Sequence, residues 1–208
     1  MAVIVIDHLP ADEAPLRCPS GWDRLVELAD SRYRIRPIRP MDAPLYPYFL
    51  RMVSEDDLRL RYLSTSKPFS PERIMKLTQI DFERDVACVA TDEPSGQLAG
   101  VVRYGGQPDR QGAEFAILAR SDLHGIELGR ELLLQLSSYA RAHGIRRIYG
   151  LVRRDNVPTF ALASSLGFVS RSHRDDHTLV DVAKELIGRS AAAVTGRTMS
   201  DRMLEVQP

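Results

Sequence analysis

The sequence predicts an α/β fold in which a mixed central β-sheet of about seven strands is flanked by helices. The first observation is the alternation of β-rich runs with helical patterns over residues 33–185. The second is a hairpin signal, because the β-rich runs 86–91 and 98–104 are separated by the turn-forming residues 92–97. The third is a buried-looking run, 113–119, which leads through a glycine-bearing loop into a long amphipathic helix.

The chain before the hairpin predicts an extension, a strand and helices. Residues 1–32 are expected to form an N-terminal extension with a short helix over Trp22–Leu28. Residues 33–40 alternate apolar and basic side chains as an edge strand does, and their prolines exclude a central position in a sheet. Capping residues then predict three helices, at 42–53, 55–63 and 70–80.

The second half of the chain continues the alternation. Apolar residues recur at helical spacing after the glycine-bearing loop, and Gly144 ends that helix. The elements predicted next are a strand at 146–152, a short helix between Asn156 and Gly167, and strands at 168–172 and 177–182. We therefore predict a domain over residues 33–187 and a C-terminal tail over 188–208.

The composition gives no sign of a nucleic-acid or membrane partner. The chain carries 28 basic and 28 acidic residues, without the basic excess that binding to nucleic acid or anionic membranes favours. The apolar residues 2–6 are too few for a signal peptide or a membrane span, so a cytoplasmic protein is expected. Cys18 and Cys88 are too few and too scattered for a zinc site or a disulfide framework; no metal is predicted, and Cys88 is expected in a buried strand. The oligomeric state, monomer or homodimer, stays open.

The loop before the long helix has the features of an anion site. The first N–H groups of a helix lack intrahelical partners and lie at the positive end of the helix dipole. A phosphate at this position gains hydrogen bonds and a favourable field together. The stretch 124–130 is therefore a candidate phosphate cradle.

The same stretch resembles the acetyl-CoA-binding loop of the GNAT acetyltransferases, which has the pattern Gln/Arg-x-x-Gly-x-Gly/Ala. Gly129 matches the last position, whereas His124 replaces the Gln or Arg and Glu127 replaces the central glycine. A glutamate there adds bulk and a negative charge beside the phosphates. The order of the predicted elements and the segment from Asn156 to Leu166-Gly167-Phe168 also resemble this family.

Three further segments, 54–62, 77–85 and 113–123, resemble the catalytic domain of Pat-type protein lysine acetyltransferases, which acylate acyl-CoA synthetases. This resemblance implies that Glu114 is the general base that deprotonates the acceptor amine. The alternative is that Glu114 faces solvent or pairs with an arginine. Many relatives protonate the leaving thiolate with a tyrosine, but Ala163 occupies that position, so no side-chain general acid is assigned.

The resemblance also implies which residues hold acetyl-CoA. The pantetheine arm would bind the backbone of Ile117, Leu118 and Ala119. Asn156 would bind the same arm or only cap its helix. The pyrophosphate would be held by the loop, with added charge from Arg130; its residues are His124, Gly125, Ile126, Glu127, Leu128, Gly129 and Arg130.

Three functions are compatible with these residues. The first is acetyl transfer from acetyl-CoA to a protein lysine, for example on an acyl-CoA synthetase. The second is acetylation of a small-molecule amine. The third is a binding or regulatory module that has lost productive coenzyme binding because of Glu127.

Overall fold

The computed structural model describes residues 21–61, 69–107, 109 and 111–186. The strands of this part are β1 (Arg24–Leu28), β2 (Ser31–Pro37), β3 (Asp85–Asp92), β4 (Leu98–Gly106), β5 (Gly112–Ala119), β6 (Arg147–Arg153), β7 (Val169–Ser172) and β8 (Leu179–Glu185). The helices are α1 (Tyr46–Arg51), α2 (Glu55–Arg61), α3 (Pro71–Thr78), α4 (Leu128–Ala142) and α5 (Val157–Ser165). The strands form one eight-stranded sheet in the order β1-β2-β3-β4-β5-β6-β8-β7. All neighbours are antiparallel except β5 and β6, which confirms the predicted mixed α/β architecture and adds one strand to it.

The added strand is β1, so the helix predicted over Trp22–Leu28 is wrong. Its residues alternate between half-buried and exposed, as strand residues do, and pair with β2. Ala29 and Asp30 connect the two strands with φ of 45° and 64°, values that suit a two-residue hairpin turn. The Trp22 ring packs edge-on against Tyr139 of α4, with 4.8 Å between the ring centroids. Tertiary pairing therefore overrides an apolar spacing that fitted a helix as well as a strand.

The predicted edge position of residues 33–40 is also wrong, because β2 lies between β1 and β3. Pro37 is the last residue of β2, where it lies opposite Cys88. Proline has no N–H group to donate to the neighbouring strand. The next residue restores the backbone pairing, because the Ile38 N–H donates a hydrogen bond to the Ala87 carbonyl at 3.0 Å. Pro40 falls in the turn beyond the strand. A strand that carries proline only at its end can therefore occupy an interior position in the sheet. Cys88 is buried in β3, as expected.

Helix α4 packs against one face of the sheet and supplies much of the core. The predicted apolar stripe is confirmed by its buried members, which are Leu128, Leu132, Leu133, Leu136, Tyr139 and Ala140. Gly100 of β4 allows the close approach of this helix, since a Cβ there would lie 2.7 Å from Cδ1 of Leu132. The helices predicted at 42–53, 55–63 and 70–80 correspond to α1, α2 and α3 in the described residues. A short 3-10 turn, Pro40–Leu45, precedes α1 and takes the first residues of the first predicted helix.

The remaining predicted elements are confirmed within a few residues, including the hairpin β3–β4 and the strand β6. None of the described helices is long and apolar enough to cross a membrane. The predicted tail, 188–208, and most of the predicted extension, 1–20, lie outside the described residues.

Candidate functional site

Strands β5 and β6 diverge after three paired residues. Their parallel pairing covers residues 112–114 of β5 and 147–149 of β6, although β5 continues to Ala119 and β6 to Arg153. The opposite side of β5 stays paired to β4 as far as Ala119. The sheet therefore has a wedge-shaped opening, referred to below as the fork, between residues 115–119 and 150–153.

Glu114 lies half-buried at the closed end of the fork. It is opposite Gly105 of β4 and Tyr149 of β6, and Gly105 is in turn opposite Asp85 of β3. Directly opposite residues share a face of a sheet, so these four residues form one row. Burial and then the negative charge of Glu114 raise the pKa of Tyr149.

The row faces away from α4. Tyr104, the neighbour of Gly105 along β4, packs toward α4, with its ring centroid 6.5 Å from that of Tyr139. Successive strand residues point to opposite faces, so Glu114 belongs to the face that carries α1 and α3. An open groove of about 320 Å³ lies beside the row, lined by Gln107, Gln111, Gly112, Arg147 and Tyr149. A ligand on this face can therefore reach Glu114 without displacing α4.

The three residues predicted to bind a pantetheine arm lie along the open side of the fork. Ile117, Leu118 and Ala119 pair with β4 on one side only. The backbone groups that point into the fork are therefore available to an extended ligand, which can hydrogen-bond to them as an added strand would.

The predicted phosphate loop presents a row of N–H donors. Among the described residues, no acceptor takes a hydrogen bond from the N–H groups of residues 125–129. The N–H of Arg130 is different, because it donates to the Glu127 carbonyl at 2.9 Å. The Arg130 guanidinium lies 3.6 Å from the Glu131 carboxylate. An anion at the loop can therefore accept hydrogen bonds from the backbone N–H groups of residues 125–129. It can also contact the Arg130 guanidinium, whose charge is partly paired with Glu131.

Glu127 adopts the conformation that the family glycine would provide. Its φ of 64° and ψ of 7° place it in the left-handed region immediately before α4. Its side chain is exposed. The glutamate thus reproduces the backbone shape of the loop at a cost in strain, and its carboxylate lies outside the packed interior.

His124 is held at the beginning of the loop by a polar cluster. Its Nε2 lies 3.2 Å from the buried carboxylate of Asp57 in α2. The same carboxylate accepts hydrogen bonds from the hydroxyls of Ser121 and Ser54, and the Ser54 N–H donates to Ser121 Oγ at 2.8 Å. His124 therefore connects the loop to α2.

Asn156 is buried and caps α5, since its Oδ1 accepts from the Thr159 N–H at 3.3 Å. Thr159 is the residue that the sequence did not single out. Its side chain is 1% exposed, and its Oγ1 has no hydrogen-bond partner among the described residues. A buried hydroxyl without a partner is uncommon, because leaving it unsatisfied costs about 1–3 kcal/mol. A threonine inside a helical pattern carries no sequence signal of this role.

Together these features fit the acetyl-CoA that the resemblance implies. The open side of β5 suits an amide-bearing arm, and the free N–H groups of the loop suit a pyrophosphate. The orphan hydroxyl of Thr159, in the first turn of α5, is a buried polar group that a ligand can satisfy. Glu114 then lies where the fork closes, on the face from which an acceptor can approach.

Comparison with known proteins agrees with this architecture. Residues 53–168 match the family model described as Acetyltransferase (GNAT) family. The chain is 32% identical over 162 residues to Acetyltransferase PA5475 of Pseudomonas aeruginosa, an alignment that covers 76% of this chain and 87% of that protein.

Two solved structures illustrate the similarity of fold. The GNAT domain of Streptomyces lividans PAT superimposes with a TM-score of 0.73 and 25% identity over 80% of this chain and 98% of that one. The putative acetyltransferase YncA of Salmonella typhimurium, whose structure contains its cofactor acetyl-CoA, superimposes with a TM-score of 0.59 and 17% identity over 78% and 99% of the two chains.

Proposed function

Because this chain belongs to the GNAT acetyltransferase family, it transfers an acetyl group from acetyl-CoA to an amine, and we propose that this amine is the ε-amino group of a protein lysine. The position of Glu114 carries the proposal. It is a half-buried carboxylate at the closed end of the fork, on the face that an acceptor can reach. The similarity of three segments to Pat-type enzymes supports a lysine as the acceptor.

The acceptor amine must be neutral before it can attack. A lysine ammonium has a pKa of about 10.4, so only about one in 2,500 is neutral at pH 7. In this proposal the Glu114 carboxylate accepts the ammonium proton, directly or through a water molecule. The amine nitrogen then attacks the thioester carbonyl carbon and the carbon–sulfur bond breaks. The nitrogen loses its second proton to solvent as the amide forms, and the leaving thiolate takes a proton from solvent, so that the one proton held by Glu114 is the net proton released.

Other residues hold and orient acetyl-CoA, which supplies the acetyl group as a thioester. The backbone of residues 117–119 binds the pantetheine arm, and the N–H groups of residues 125–129 bind the pyrophosphate. His124 supports the loop through Asp57, and Arg130 adds positive charge. Asn156 acts as the cap that positions α5.

The proposal is tested by Glu114→Gln, which keeps the shape of the side chain and removes its charge. We expect calorimetry to give an unchanged affinity for acetyl-CoA. Transfer to lysine peptides and to a purified acyl-CoA synthetase should fall by about 10²–10⁴-fold. Glu93→Gln, the same change at a half-buried residue that pairs with Arg34 beyond the other end of β3, is the matched control. Full activity of Glu114→Gln would exclude Glu114 as the base.

A small-molecule amine is the second candidate acceptor, because the groove of about 320 Å³ beside Tyr149 has room for one. A panel of free polyamines, amino acids and aminoglycosides, assayed beside the protein acceptors, separates the two. A kcat/KM for a free amine that exceeds that for every protein lysine would favour this candidate. The binding-module alternative loses its main support, since Glu127 is exposed and leaves the loop N–H groups available.

A further inference from the structure

Asp85 is a second carboxylate in the row that contains Glu114. It begins β3, and its place is fixed by a turn in which Asp81 Oδ1 accepts from the N–H groups of Glu83 and Arg84, at 2.8 and 3.1 Å. The side chain is half-buried. No described residue donates a hydrogen bond to its carboxylate or forms an ion pair with it.

Gly105, between the two carboxylates, leaves a trough in the face of the sheet. A Cβ at Gly105 would lie 3.3 Å from Oδ1 of Asp85, so the Asp85 carboxylate leans over the glycine. Glu114 lies directly opposite Gly105 on the other side. The trough is therefore bordered by one carboxylate from β3 and one from β5.

The electrostatics of the trough favour a cation. Burial raises the pKa of Asp85 and the charge of Asp81 adds to the rise, while the positive charges of Arg103 and Arg84 offset it only in part. Arg103, two residues before Gly105 in β4, is on the same face, and among the described residues it forms no ion pair with Asp85. An ionised carboxylate that is partly removed from water without a partner is costly, and a bound ammonium offsets that cost.

We propose that Asp85 is a positioning residue for the acceptor, which it holds as an ammonium above Gly105, beside Glu114. Asp85 accepts a hydrogen bond from the ammonium and takes no proton; the proton passes to Glu114 before the amine attacks. The inference rests on the proposed function to the extent that Glu114 is the base. It assigns the acceptor a primary alkylammonium group without a bulky substituent next to the nitrogen, because the trough is one glycine wide.

The test uses the full chain, labelled with ¹⁵N and saturated with coenzyme A, and n-butylamine as the cationic probe. We expect n-butylammonium to shift the Gly105 amide resonance saturably, whereas 1-butanol, a neutral molecule of the same length, leaves it unchanged. Asp85→Asn should weaken n-butylammonium binding at least about tenfold, because a charge-assisted hydrogen bond is lost. Glu83→Gln, an exposed neighbour, should bind as the unaltered chain does.

Gly105→Ala provides a second variant that changes no charge. Its methyl group fills the trough, so n-butylammonium binding should weaken by a similar factor while calorimetry gives an unchanged affinity for acetyl-CoA. Unaltered binding of n-butylammonium by either Asp85→Asn or Gly105→Ala would overturn the inference.

If no protein lysine is acetylated but n-butylammonium binding still depends on Asp85, the lysine proposal fails and the role of Asp85 stands. If lysine peptides are acetylated and Asp85→Asn leaves their KM unchanged, the role of Asp85 fails alone.

Discussion

Replacement of Glu127 by glycine should stabilise the protein and strengthen coenzyme binding at once. A non-glycine residue in the left-handed region carries about 1–2 kcal/mol of strain. Glycine removes that strain but loses about 0.5–1 kcal/mol through the greater freedom of its unfolded chain. The expected net gain is about 0.5–1 kcal/mol, or a rise in Tm of about 1–4 °C for a domain of this size.

The negative charge of Glu127 has a second effect, on the binding of acetyl-CoA. At an assumed separation of about 8 Å in water, the Glu127 carboxylate opposes each unit of phosphate charge by about 0.5 kcal/mol. Two such charges amount to about 1 kcal/mol, or roughly fivefold in the Kd for acetyl-CoA at low salt. This part should shrink to less than twofold near 1 M salt, where the Debye length is about 3 Å.

Two variants separate strain from charge. Glu127→Gln removes the charge and keeps the left-handed backbone strain, so its Tm should match that of the unaltered chain while its Kd falls. Glu127→Gly should lower the Kd and raise the Tm. The assay is calorimetric titration with acetyl-CoA at low and high salt, beside thermal unfolding. A Glu127→Gly variant less stable than the parent would refute the strain argument, and equal Kd values for all three chains would refute the electrostatic one.

Three further predictions concern other parts of the fold. Thr159→Val should weaken acetyl-CoA binding about 3–10-fold without loss of Tm, whereas Thr159→Ser should bind normally; a Tm rise in Thr159→Val with unchanged Kd would show that the hydroxyl serves no ligand. Asp42→Ala should lower the free energy of unfolding by about 3–5 kcal/mol, because the Arg36 guanidinium loses the two charge-assisted hydrogen bonds that it donates to that buried carboxylate at 2.8 and 2.6 Å. Loss of the exposed Asp155 partner of Arg153 should cost less than about 1 kcal/mol in the same denaturant assay, and equal costs for the two pairs would contradict this reasoning. Gly100→Ala should destabilise the chain by about 1–3 kcal/mol, since its methyl group would meet α4 at 2.7 Å, and an unchanged unfolding midpoint would show that α4 moves freely.

A local sequence pattern predicted an element correctly where the pattern is compatible with only one type of secondary structure. The spacing from Leu128 to Ala140 predicts α4 and its buried face, and the turn residues 92–97 predict the hairpin. The helix predicted over Trp22–Leu28 was wrong because a short apolar segment fits the helical and the strand periodicity equally well. Its pairing with β2 depends on residues outside the segment. The position of Pro37 in an interior strand likewise depends on which neighbour supplies the next hydrogen bond.

Only part of the candidate site can be named from the sequence. Loop 124–130 and Glu114 belong to contiguous motifs, so the sequence indicates them directly. Asp85 and Gly105 join Glu114 only through the register of three strands, which sequence spacing does not specify. Thr159 is distinguished by burial without a partner, a property of the packed molecule alone.

The polar cluster around Ser121 links the loop 124–130 to α2. Ser121 N–H donates to the Met52 carbonyl at 3.0 Å, and its hydroxyl bonds both Ser54 and Asp57 at the start of α2. His124, three residues on, contacts the same carboxylate. Whatever restrains the loop therefore restrains α2 as well, and the coupling free energy is the same in both directions.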